Sequence, residues 1–377
     1  MLECFNFMRF RASSILVILA AMAAPAFATN PALPSDGLEQ RVDFWKKVYT
    51  QYGENDLIIH DVFHVNLIYG VANDDDVNTR VADLKTTLRE MRAAIGTPDA
   101  FSPEAKQIAE SIAAQGLQLT DALLADLVDG VHTQRGIKER FRDGIVRSGR
   151  HVDEFRETLK KSGVPEELAL LPMVESSFEN VRSKAGAVGM WQFTRGTGRL
   201  YLKINNKVDE RLDPSKATSA AARLLRDNYN ALGSWPLAIT AYNHGQAGMR
   251  RAQQAHGSDL TTIIKEYRGP VFGYASMNFY SEFLAAVEVY ETYATYFGEL
   301  VLDKPNTPPV KVAAATKSPA APAKAKTATA ATSKYQVKKG DTLWDVAQRF
   351  GTSIRSLMEL NKLNESAIYA GQILLVK

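Results

Sequence analysis

A change of composition near the C-terminal end divides this chain of 377 residues into parts that must fold separately. Between Lys304 and Ser333 the sequence holds ten alanines, five prolines and five lysines, with no acidic and no aromatic residue. A segment of that composition has too little apolar surface to form a core, so it is predicted to be an extended, flexible linker. The folded domains are therefore expected on either side of residues 304–333.

The first 28 residues are predicted to be a signal peptide rather than part of a fold. Arg9 and Arg11 precede an apolar run from Ile15 to Ala24, and Ala26-Phe-Ala28 fits the cleavage pattern of small residues. The apolar run is too short to span a bilayer comfortably. We therefore expect export to the periplasm, with no transmembrane anchor after signal cleavage.

Cys4 is the only cysteine, which excludes an intramolecular disulfide. It precedes the apolar run instead of following it, so the chain is not predicted to be a lipoprotein. The net charge of +3 is too small to indicate nucleic-acid binding.

Two patterns that resemble metal sites do not withstand inspection. His60 and His64 are four residues apart, which fits one face of a helix, but no third ligand is evident. The acidic run Asp74–Asn78 resembles the start of a calcium loop, but Thr79 and Lys85 stand where that loop requires glycine and an acid. The run is better explained as the first turn of a helix. The sequence therefore predicts no metal site and no cofactor.

Helical periodicity dominates both halves of the region before the linker. Leu38, Val42 and Trp45 recur at helical spacing within residues 29–150, which we predict to form a helical N-terminal region. Farther along, residues 151–161, the alanine-rich residues 216–230 and a segment beginning at Trp235 follow helical patterns as well. The predicted fold class is mainly α.

Glu175 is the residue with the most informative surroundings. Leu168, Leu171 and Val174 place an apolar face on the preceding helix, and Glu175 lies at the edge of that face. A carboxyl group held there is expected to have a raised pKa, which suits a general acid near neutral pH. Pro172 removes a backbone donor and is expected to loosen the last turn before Glu175.

The residues after Glu175 have the composition of a sugar-binding cleft. Ala185, Gly186 and Gly189 allow the backbone to approach a ligand closely, and aromatic rings flank the amide of Gln192. Farther along, Tyr242 and Asn243 place a phenol and an amide side by side just before a glycine.

Four blocks occur in an order that identifies a family: residues 175–178, 183–193, 241–245 and 278–280. Together they resemble the catalytic domain of the soluble lytic transglycosylases, and most closely their membrane-bound D type. The resemblance covers 152–298 and implies a lysozyme-like helical catalytic domain, which we place at residues 151–303. It implies that Glu175 is the acid and base. The substrate-binding residues that it implies are Ser183, Met190, Gln192, Tyr242, Asn243 and Tyr280.

The family resemblance also implies the reaction. A single glutamate would protonate the glycosidic oxygen between N-acetylmuramic acid and N-acetylglucosamine in peptidoglycan, and then deprotonate the C6 hydroxyl, which attacks C1. The product would end in 1,6-anhydromuramic acid, formed without water. The late motif departs from the family pattern Asn-Tyr-Val, since this chain has Asn278-Phe279-Tyr280, and either aromatic residue can fill the tyrosine position.

Two other functions remain open at this stage. One is a hydrolytic muramidase of the goose-lysozyme type, which needs a second carboxylate. Its candidates are Glu179, Asp209, Glu210 and Asp213. The other is a peptidoglycan-binding protein without activity, although the polar groups kept in an apolar cleft argue against it.

The last part of the chain, residues 334–377, has the pattern of a small βααβ domain. Its sequence, from Tyr335-Gln-Val337 to Ile373-Leu-Leu-Val376, resembles a LysM module almost from end to end. The resemblance implies binding to glycan strands of peptidoglycan, with other cell-wall enzymes as further partners. The glycan-binding residues that it implies are Gly340, Asp341, Thr342, Leu343, Ile368 and Tyr369.

Overall fold

The computed structural model describes most of the chain before the linker and parts of the C-terminal segment. The described residues are 30–269, 271–305, 333–338, 346, 349–350, 357, 360–361, 363, 368 and 371–376. The predicted signal peptide and residues 306–332 of the predicted linker lie outside these ranges. Within them, no helix combines the length and the apolar character that crossing a bilayer requires.

Helices account for most of the described chain, which confirms the predicted fold class. In the N-terminal half they are α1 (Glu39–Thr50), α2 (Val77–Ala93), α3 (Pro103–Ala114), α4 (Asp121–Gly130), α5 (Lys138–Ser148) and α6 (Val152–Lys161). The later ones are α7 (Leu171–Ser176), α8 (Arg195–Gly198), α9 (Pro214–Leu232), α10 (Trp235–His244), α11 (Gln246–His256), α12 (Leu260–Glu266), α13 (Tyr274–Glu291) and α14 (Tyr293–Phe297). Short 3-10 helices cover Pro98–Ala100, Glu166–Leu170 and Glu210–Leu212.

Helix α9 begins and ends where its sequence requires. Asp213 caps the N-terminus, because its carboxylate accepts a hydrogen bond from the Lys216 backbone N–H at 3.1 Å. Pro214 follows at the first helical position, where a missing N–H costs nothing. Gly233 then ends the helix in the left-handed region, at φ +79°.

A three-stranded antiparallel sheet interrupts the N-terminal region, where the sequence analysis expected only helices. Its strands are β1 (Leu57–Asp61), β2 (Ile68–Ala72) and β3 (Val131–Arg135), in the order β2-β1-β3. The strands are five residues long and β1 is buried along its whole length, so no alternation of apolar and polar residues marks it. His60 lies on β1 and His64 follows it, so the two do not share a helix face.

Two hydrophobic cores organise the residues before the linker. The smaller one packs β1 against α2, α3 and α4, with Leu88, Ile112 and Leu124 at its centre. The larger one joins α1, α5 and α6 to the helices around Glu175 and to α13. The predicted boundary at residue 150 therefore runs through this larger core.

Helix α1 packs along α13, although more than 200 residues separate them in the sequence. Arg41 of α1 is buried and donates a hydrogen bond to Asn278 Oδ1 at 2.8 Å. The Tyr49 hydroxyl donates to the backbone carbonyl of Glu282 at 3.3 Å. Helix α13 is thus held in place by the N-terminal region.

The C-terminal segment contains a strand pair that matches the two outer strands of the predicted βααβ domain. Strand β4 (Ser333–Gln336) pairs antiparallel with β5 (Ile373–Val376). The Asn361 side chain accepts a hydrogen bond from the Leu375 backbone N–H at 2.6 Å and donates to the Leu375 carbonyl at 2.8 Å. A small core of Val337, Val346, Leu357, Leu374 and Val376 lies beneath the strands.

Candidate active site

Glu175 occupies the last turn of a helix that ends abruptly. A 3-10 run over Glu166–Leu170 gives way to α7, which has Pro172 in its first turn. The turn from Pro172 to Glu175 is α-helical, so the loosening expected there is not seen; the change of helix type comes before the proline. The two residues that follow α7, Ser177 and Phe178, have positive φ values of 52° and 57°. Such conformations are costly for residues other than glycine and persist only where packing enforces them. Phe178 is buried and stacks on Phe155, 6.1 Å away.

The Glu175 carboxyl group has the electrostatics of a general acid. It is half-buried, and no described residue makes a hydrogen bond or an ion pair with its side chain. Desolvation by the surrounding protein raises the pKa of Glu175 to about 8. The expectation of a raised pKa is therefore confirmed, and the carboxyl group is protonated at neutral pH.

The segment after Glu175 is held by hydrogen bonds within itself. The Ser183 hydroxyl oxygen accepts from the Ala187 backbone N–H at 3.0 Å, so this side chain stabilises the turn. The Gln192 amide donates to the Gly189 carbonyl at 2.6 Å, and Gln192 itself has a φ of +47°. The structure thus places both side chains in the loop framework, and their predicted contact with substrate stays a prediction.

Arg211 stabilises the loop of residues 183–193 through hydrogen bonds to its backbone. Its guanidinium is buried, pairs with Asp209 at 2.8 Å, and donates to the carbonyls of Phe193 at 3.1 Å and Gly186 at 3.3 Å. Gly189 passes so close that an added Cβ would lie 1.9 Å from the Arg211 carbonyl oxygen, and its φ is +85°. Only glycine fits there.

Tyr242 brings α10 to Glu175. Its hydroxyl donates to the Trp191 carbonyl at 2.7 Å, and Trp191 is buried with its indole N–H on Thr218 at 2.9 Å. Burial and the charge of Glu175 raise the pKa of Tyr242 well above its usual range, so the phenol remains neutral. Met190, also predicted to line the cleft, is buried, and its carbonyl accepts from the Ser176 hydroxyl at 2.8 Å. The structure therefore groups Met190 and Tyr242 around Glu175.

Phe279 and Tyr280, the two candidates for the late tyrosine position, pack in different places. Phe279 stacks parallel to Tyr242, with ring centroids 6.5 Å apart. The Tyr280 hydroxyl instead donates to the Pro34 carbonyl at 2.8 Å, beside a pocket of about 450 Å³ that Pro34 and Trp235 also line. Phe279 thus holds the position next to the site, and Tyr280 packs against the N-terminal segment.

Asn243, next to Tyr242, is exposed and links two helices. Its side-chain oxygen accepts a hydrogen bond from the Ser276 hydroxyl at 2.8 Å, which joins α10 to α13. Its predicted contact with sugar stays a prediction.

Glu282 on α13 is the site residue that the sequence analysis missed. It is half-buried, and no described residue bonds to its carboxyl group. Desolvation, with the charge of Glu175 as a second cause, raises the pKa of Glu282 to about 8. The available signal was an acid between the apolar residues Phe279 and Phe283, both of which are buried.

The four acids proposed earlier as a second carboxylate are occupied elsewhere. Glu179 pairs with Arg147 at 3.2 Å, and Glu210 pairs with Lys216 at 2.9 Å. Hydrogen bonds from Arg211 lower the pKa of Asp209. Asp213 caps α9, as described above. Each has a structural partner that Glu175 and Glu282 lack.

No group of three or more histidine, cysteine or acidic residues within the described ranges is arranged to hold a metal ion. His60 is buried, and its Nε2 atom lies 3.1 Å from the Tyr274 hydroxyl. Burial lowers the pKa of His60 to about 3 and that of His132 to about 4, so both rings are neutral. His60 therefore belongs to a packed aromatic cluster that also includes Phe44.

Most residues predicted to bind glycan in the LysM-like segment cannot be placed. Gly340, Asp341, Thr342, Leu343 and Tyr369 lie outside the described residues. Ile368 is described and packs against the small core of that segment.

Known proteins match both predicted parts of the chain. Residues 154–264 match the family described as Transglycosylase SLT domain, and residues 335–377 match the LysM domain. Membrane-bound lytic murein transglycosylase D of Escherichia coli (strain K12) is 36% identical over 118 residues, which is 30% of this chain and 26% of that protein. A putative tributyltin chloride resistance protein of Alteromonas sp. (strain M-1) is 33% identical over 97 residues, 25% of this chain and 47% of its own length.

The curated transglycosylase relatives are thus matched over only about a quarter of their length. Among solved structures, lytic transglycosylase Slt from Pseudomonas aeruginosa, an inactive mutant, aligns with a TM-score of 0.32 and 16% identity. That alignment covers 70% of this chain and 44% of the other, and its score is too low to inform the fold. The two sequence matches confirm the resemblances found in the sequence: the chain carries a transglycosylase SLT domain followed by a LysM domain.

Proposed function

We propose that this chain is a peptidoglycan lytic transglycosylase that acts in the periplasm. The observation that carries the proposal is a protonated carboxyl group without a partner, Glu175, at the end of a buried helix in the SLT segment. The relatives named for murein transglycosylase activity support the same reaction.

The reaction needs an acid that becomes a base at the same atom. Glu175 is protonated at neutral pH and donates its proton to the glycosidic oxygen that leaves with N-acetylglucosamine. The resulting carboxylate lies in a desolvated place with no cation paired to it among the described residues, so it is strongly basic. It then removes the proton of the C6 hydroxyl of N-acetylmuramic acid as that oxygen bonds to C1. One bond breaks, one forms, and Glu175 regains its proton.

Neighbouring groups support this role by remaining neutral. The Tyr242 phenol is neutral and points at the Trp191 carbonyl, so it adds no charge that would draw the proton from Glu175. The C6 hydroxyl belongs to the same sugar as C1 and is favoured over water by proximity.

The nature of the product tests the proposal directly. Purified cell-wall sacculi are digested in water labelled with heavy oxygen, and the released fragments are analysed by mass spectrometry. Fragments that end in unlabelled 1,6-anhydromuramic acid, lighter by one water than hydrolytic products, are the expected result. Label on new reducing ends would reject the transglycosylase reaction.

A hydrolytic muramidase is the second candidate, and a specific observation favours it. Glu282 supplies a second carboxyl group whose pKa responds to the charge of Glu175, and a hydrolase needs such a group to activate water. The same labelling experiment separates the two reactions.

The LysM domain is proposed to hold the enzyme on its substrate. A glycan-binding module joined to the catalytic domain in one chain raises the local concentration of glycan around that domain. Deleting residues 335–377 is expected to weaken binding to sacculi and to leave the rate on soluble glycan fragments unchanged. Equal binding by the truncated and the full chain would contradict this.

A further inference from the structure

The segment that follows the loop of residues 183–193 forms a surface depression whose charged side chains are all positive. The depression has a volume of about 480 Å³, and its lining includes four cationic side chains and no acidic one. The four are Arg195, Arg199, Lys203 and Lys207, spaced four residues apart in the sequence. We call this surface the basic depression. The proton transfers assigned to Glu175 give it no role.

The four cations have no partner within the described part of the chain. None of their side chains makes a hydrogen bond or an ion pair there. The acids that follow them in the sequence are engaged with other residues. Glu210 pairs with Lys216, and Asp209 pairs with Arg211. Like charges that share one surface raise its positive potential and attract anions. The basic depression is therefore a place where an anionic ligand gains free energy by binding.

The fold fixes part of the backbone that presents these cations. The Asn205 side-chain oxygen accepts hydrogen bonds from the backbone N–H groups of Lys207 and Val208, at 2.8 and 2.9 Å, and so closes a turn. The Lys203 backbone N–H donates to the Glu210 carboxylate at 2.7 Å. Lys203 and Lys207 thus extend from a turn held at both ends.

The basic depression adjoins the loop of the candidate active site. Helix α8, which carries Arg195, begins two residues after Phe193. Gly198 at the end of α8 packs so closely that an added Cβ would lie 3.1 Å from Arg211 Cδ. Arg211 in turn donates to the carbonyls of Gly186 and Phe193 in the loop. The loop and the basic depression therefore share one buried support.

We propose that the basic depression binds the carboxylates of the peptides that branch from the glycan strand, so that peptide-bearing strands are the preferred substrate. The proposal rests on the function proposed above. In peptidoglycan these peptides are attached to N-acetylmuramic acid, the sugar whose C1 is attacked, so they leave the strand close to the point of cleavage. They are acidic, and a guanidinium group binds a carboxylate through two parallel hydrogen bonds.

An anionic membrane would supply the same charge, but the shape and lining of the surface favour a peptide. The amide of Asn206 and the apolar side chain of Val208 also line the depression. These groups suit a chain that has backbone amides and short apolar side chains between its carboxylates. A flat layer of lipid headgroups would meet only the rim of a concave site.

The test compares kcat/KM for two soluble substrates, measured with the full chain. One is a set of glycan fragments that carry their peptides, and the other is the same fragments after an amidase has removed the peptides. In the double variant Arg195→Gln with Arg199→Gln, kcat/KM for the peptide-bearing fragments is expected to fall about fivefold, mainly through KM, because exposed charge pairs are individually weak. The value for the peptide-free fragments is expected to change by less than about twofold.

Arg250→Gln with Arg251→Gln is the matched control. These arginines are exposed on α11, have no partner among the described residues and lie outside the lining of the basic depression. The control changes the net charge by the same amount and is expected to leave both kcat/KM values unchanged. An equal fall for both substrates in the Arg195 and Arg199 variant, no fall for either, or the same fall in the control would overturn the proposal.

A binding measurement carries the test without the reaction. Peptides released from sacculi by an amidase are titrated into the full chain carrying Glu175→Gln, and nuclear magnetic resonance follows the backbone amides of residues 195–208. Shifts that disappear when the peptide carboxylates are converted to methyl esters are the expected result. Shifts that survive esterification, or no shifts in this segment, would overturn the proposal.

Vesicles of phosphatidylglycerol provide the second probe. Little binding to them is expected from the full chain, with no difference between the wild type and the double variant. Binding that the double variant loses, together with no response of residues 195–208 to the peptides, would assign the surface to a membrane and overturn the proposal.

The product assay distinguishes failure of this inference from failure of the proposed function. Unlabelled anhydro ends without a preference for peptide-bearing fragments would leave the transglycosylase standing and overturn the peptide site. Labelled reducing ends, together with a preference that the double variant loses, would reject the transglycosylase reaction and still support the peptide site.

Discussion

Two sets of ionisable residues have opposite surroundings. Asp209 and Arg211 meet as opposite charges, and the buried guanidinium also satisfies two loop carbonyls. Glu175 and Glu282 are both acids, and neither has a hydrogen-bond or ion-pair partner for its carboxyl group in the described part of the chain. Hydrogen bonds from Arg211 lower the pKa of Asp209, whereas desolvation raises the pKa values of Glu175 and Glu282 to about 8, with the charge of Glu175 as a second cause for Glu282. The ion pair holds the loop, whereas the lack of a partner suits the proton transfer proposed for Glu175.

The largest effect is expected from removing the unpaired acid. Glu175→Gln keeps the shape of the side chain but cannot donate a proton, so activity is expected to fall by at least about 10²–10⁴-fold. Turnover of sacculi measures the loss, while circular dichroism and sacculus binding check the fold. Glu179→Gln is the control, because Glu179 is paired with Arg147, and it is expected to keep its activity. More than about a tenth of wild-type activity in Glu175→Gln would place the acid elsewhere.

The next largest effect is expected from breaking the Asp209–Arg211 ion pair. Arg211→Ala leaves Asp209 and two loop carbonyls without their donor, and is expected to lower the free energy of unfolding by about 3–5 kcal/mol. Urea denaturation measures the change. Arg182→Ala is the matched control, because Arg182 also approaches Asp209, at 3.8 Å, but is 60% exposed. A similar loss in both variants would show that the buried geometry is irrelevant.

The dependence of stability on pH is expected to distinguish the two pairs next. The pKa of Glu175 is raised from 4.5 to about 8, so the folded state binds more protons than the unfolded state in that window. Stability is therefore lost as the pH rises through it. Glu175→Gln removes this loss and is expected to be about 1–3 kcal/mol more stable than wild type near pH 8, with little difference near pH 4. A difference that does not change with pH would contradict the raised pKa.

The smallest effect on stability and activity is expected from changing Tyr242, a neutral residue beside Glu175. Tyr242→Phe removes one hydrogen bond to the Trp191 carbonyl and keeps the stack on Phe279. A loss of stability of about 1 kcal/mol is expected, with a modest fall in kcat. Thermal unfolding and initial rates measure both quantities. Loss of all activity would instead assign the phenol a direct part in the reaction.

Much of the helical frame was predictable because its signals are local. Residues 151–161 were predicted to be helical; Val152, Phe155 and Leu159 repeat at helical spacing and are buried, and Gly163 follows α6 with a φ of +65°. The raised pKa of Glu175 was predictable for the same reason, since an acid at the edge of an apolar face, three residues after a proline, is visible in a few residues.

The rest depends on contacts that no local pattern contains. Glu282 reads as a polar interruption of a core helix until α13 is packed against α7 and α10. Tyr280 was expected at the site, but its hydroxyl meets Pro34, which is 246 residues away in the sequence. The strand β1 was missed because both of its faces are buried, which removes the alternation that marks a strand.

The packing of α1 along α13 sets the minimum length of a fragment that can fold. The segment that matches the SLT family contains neither helix, yet Phe44, Val48 and Tyr49 of α1 are buried in the same core as Phe155 and Trp191. A fragment trimmed to residues 154–264 would expose that apolar surface to water and is expected to aggregate or remain unfolded. A fragment of residues 30–305 is expected to unfold cooperatively, with coincident transitions for tryptophan fluorescence and circular dichroism. For any excised piece, the unit of folding is therefore larger than the unit of sequence similarity.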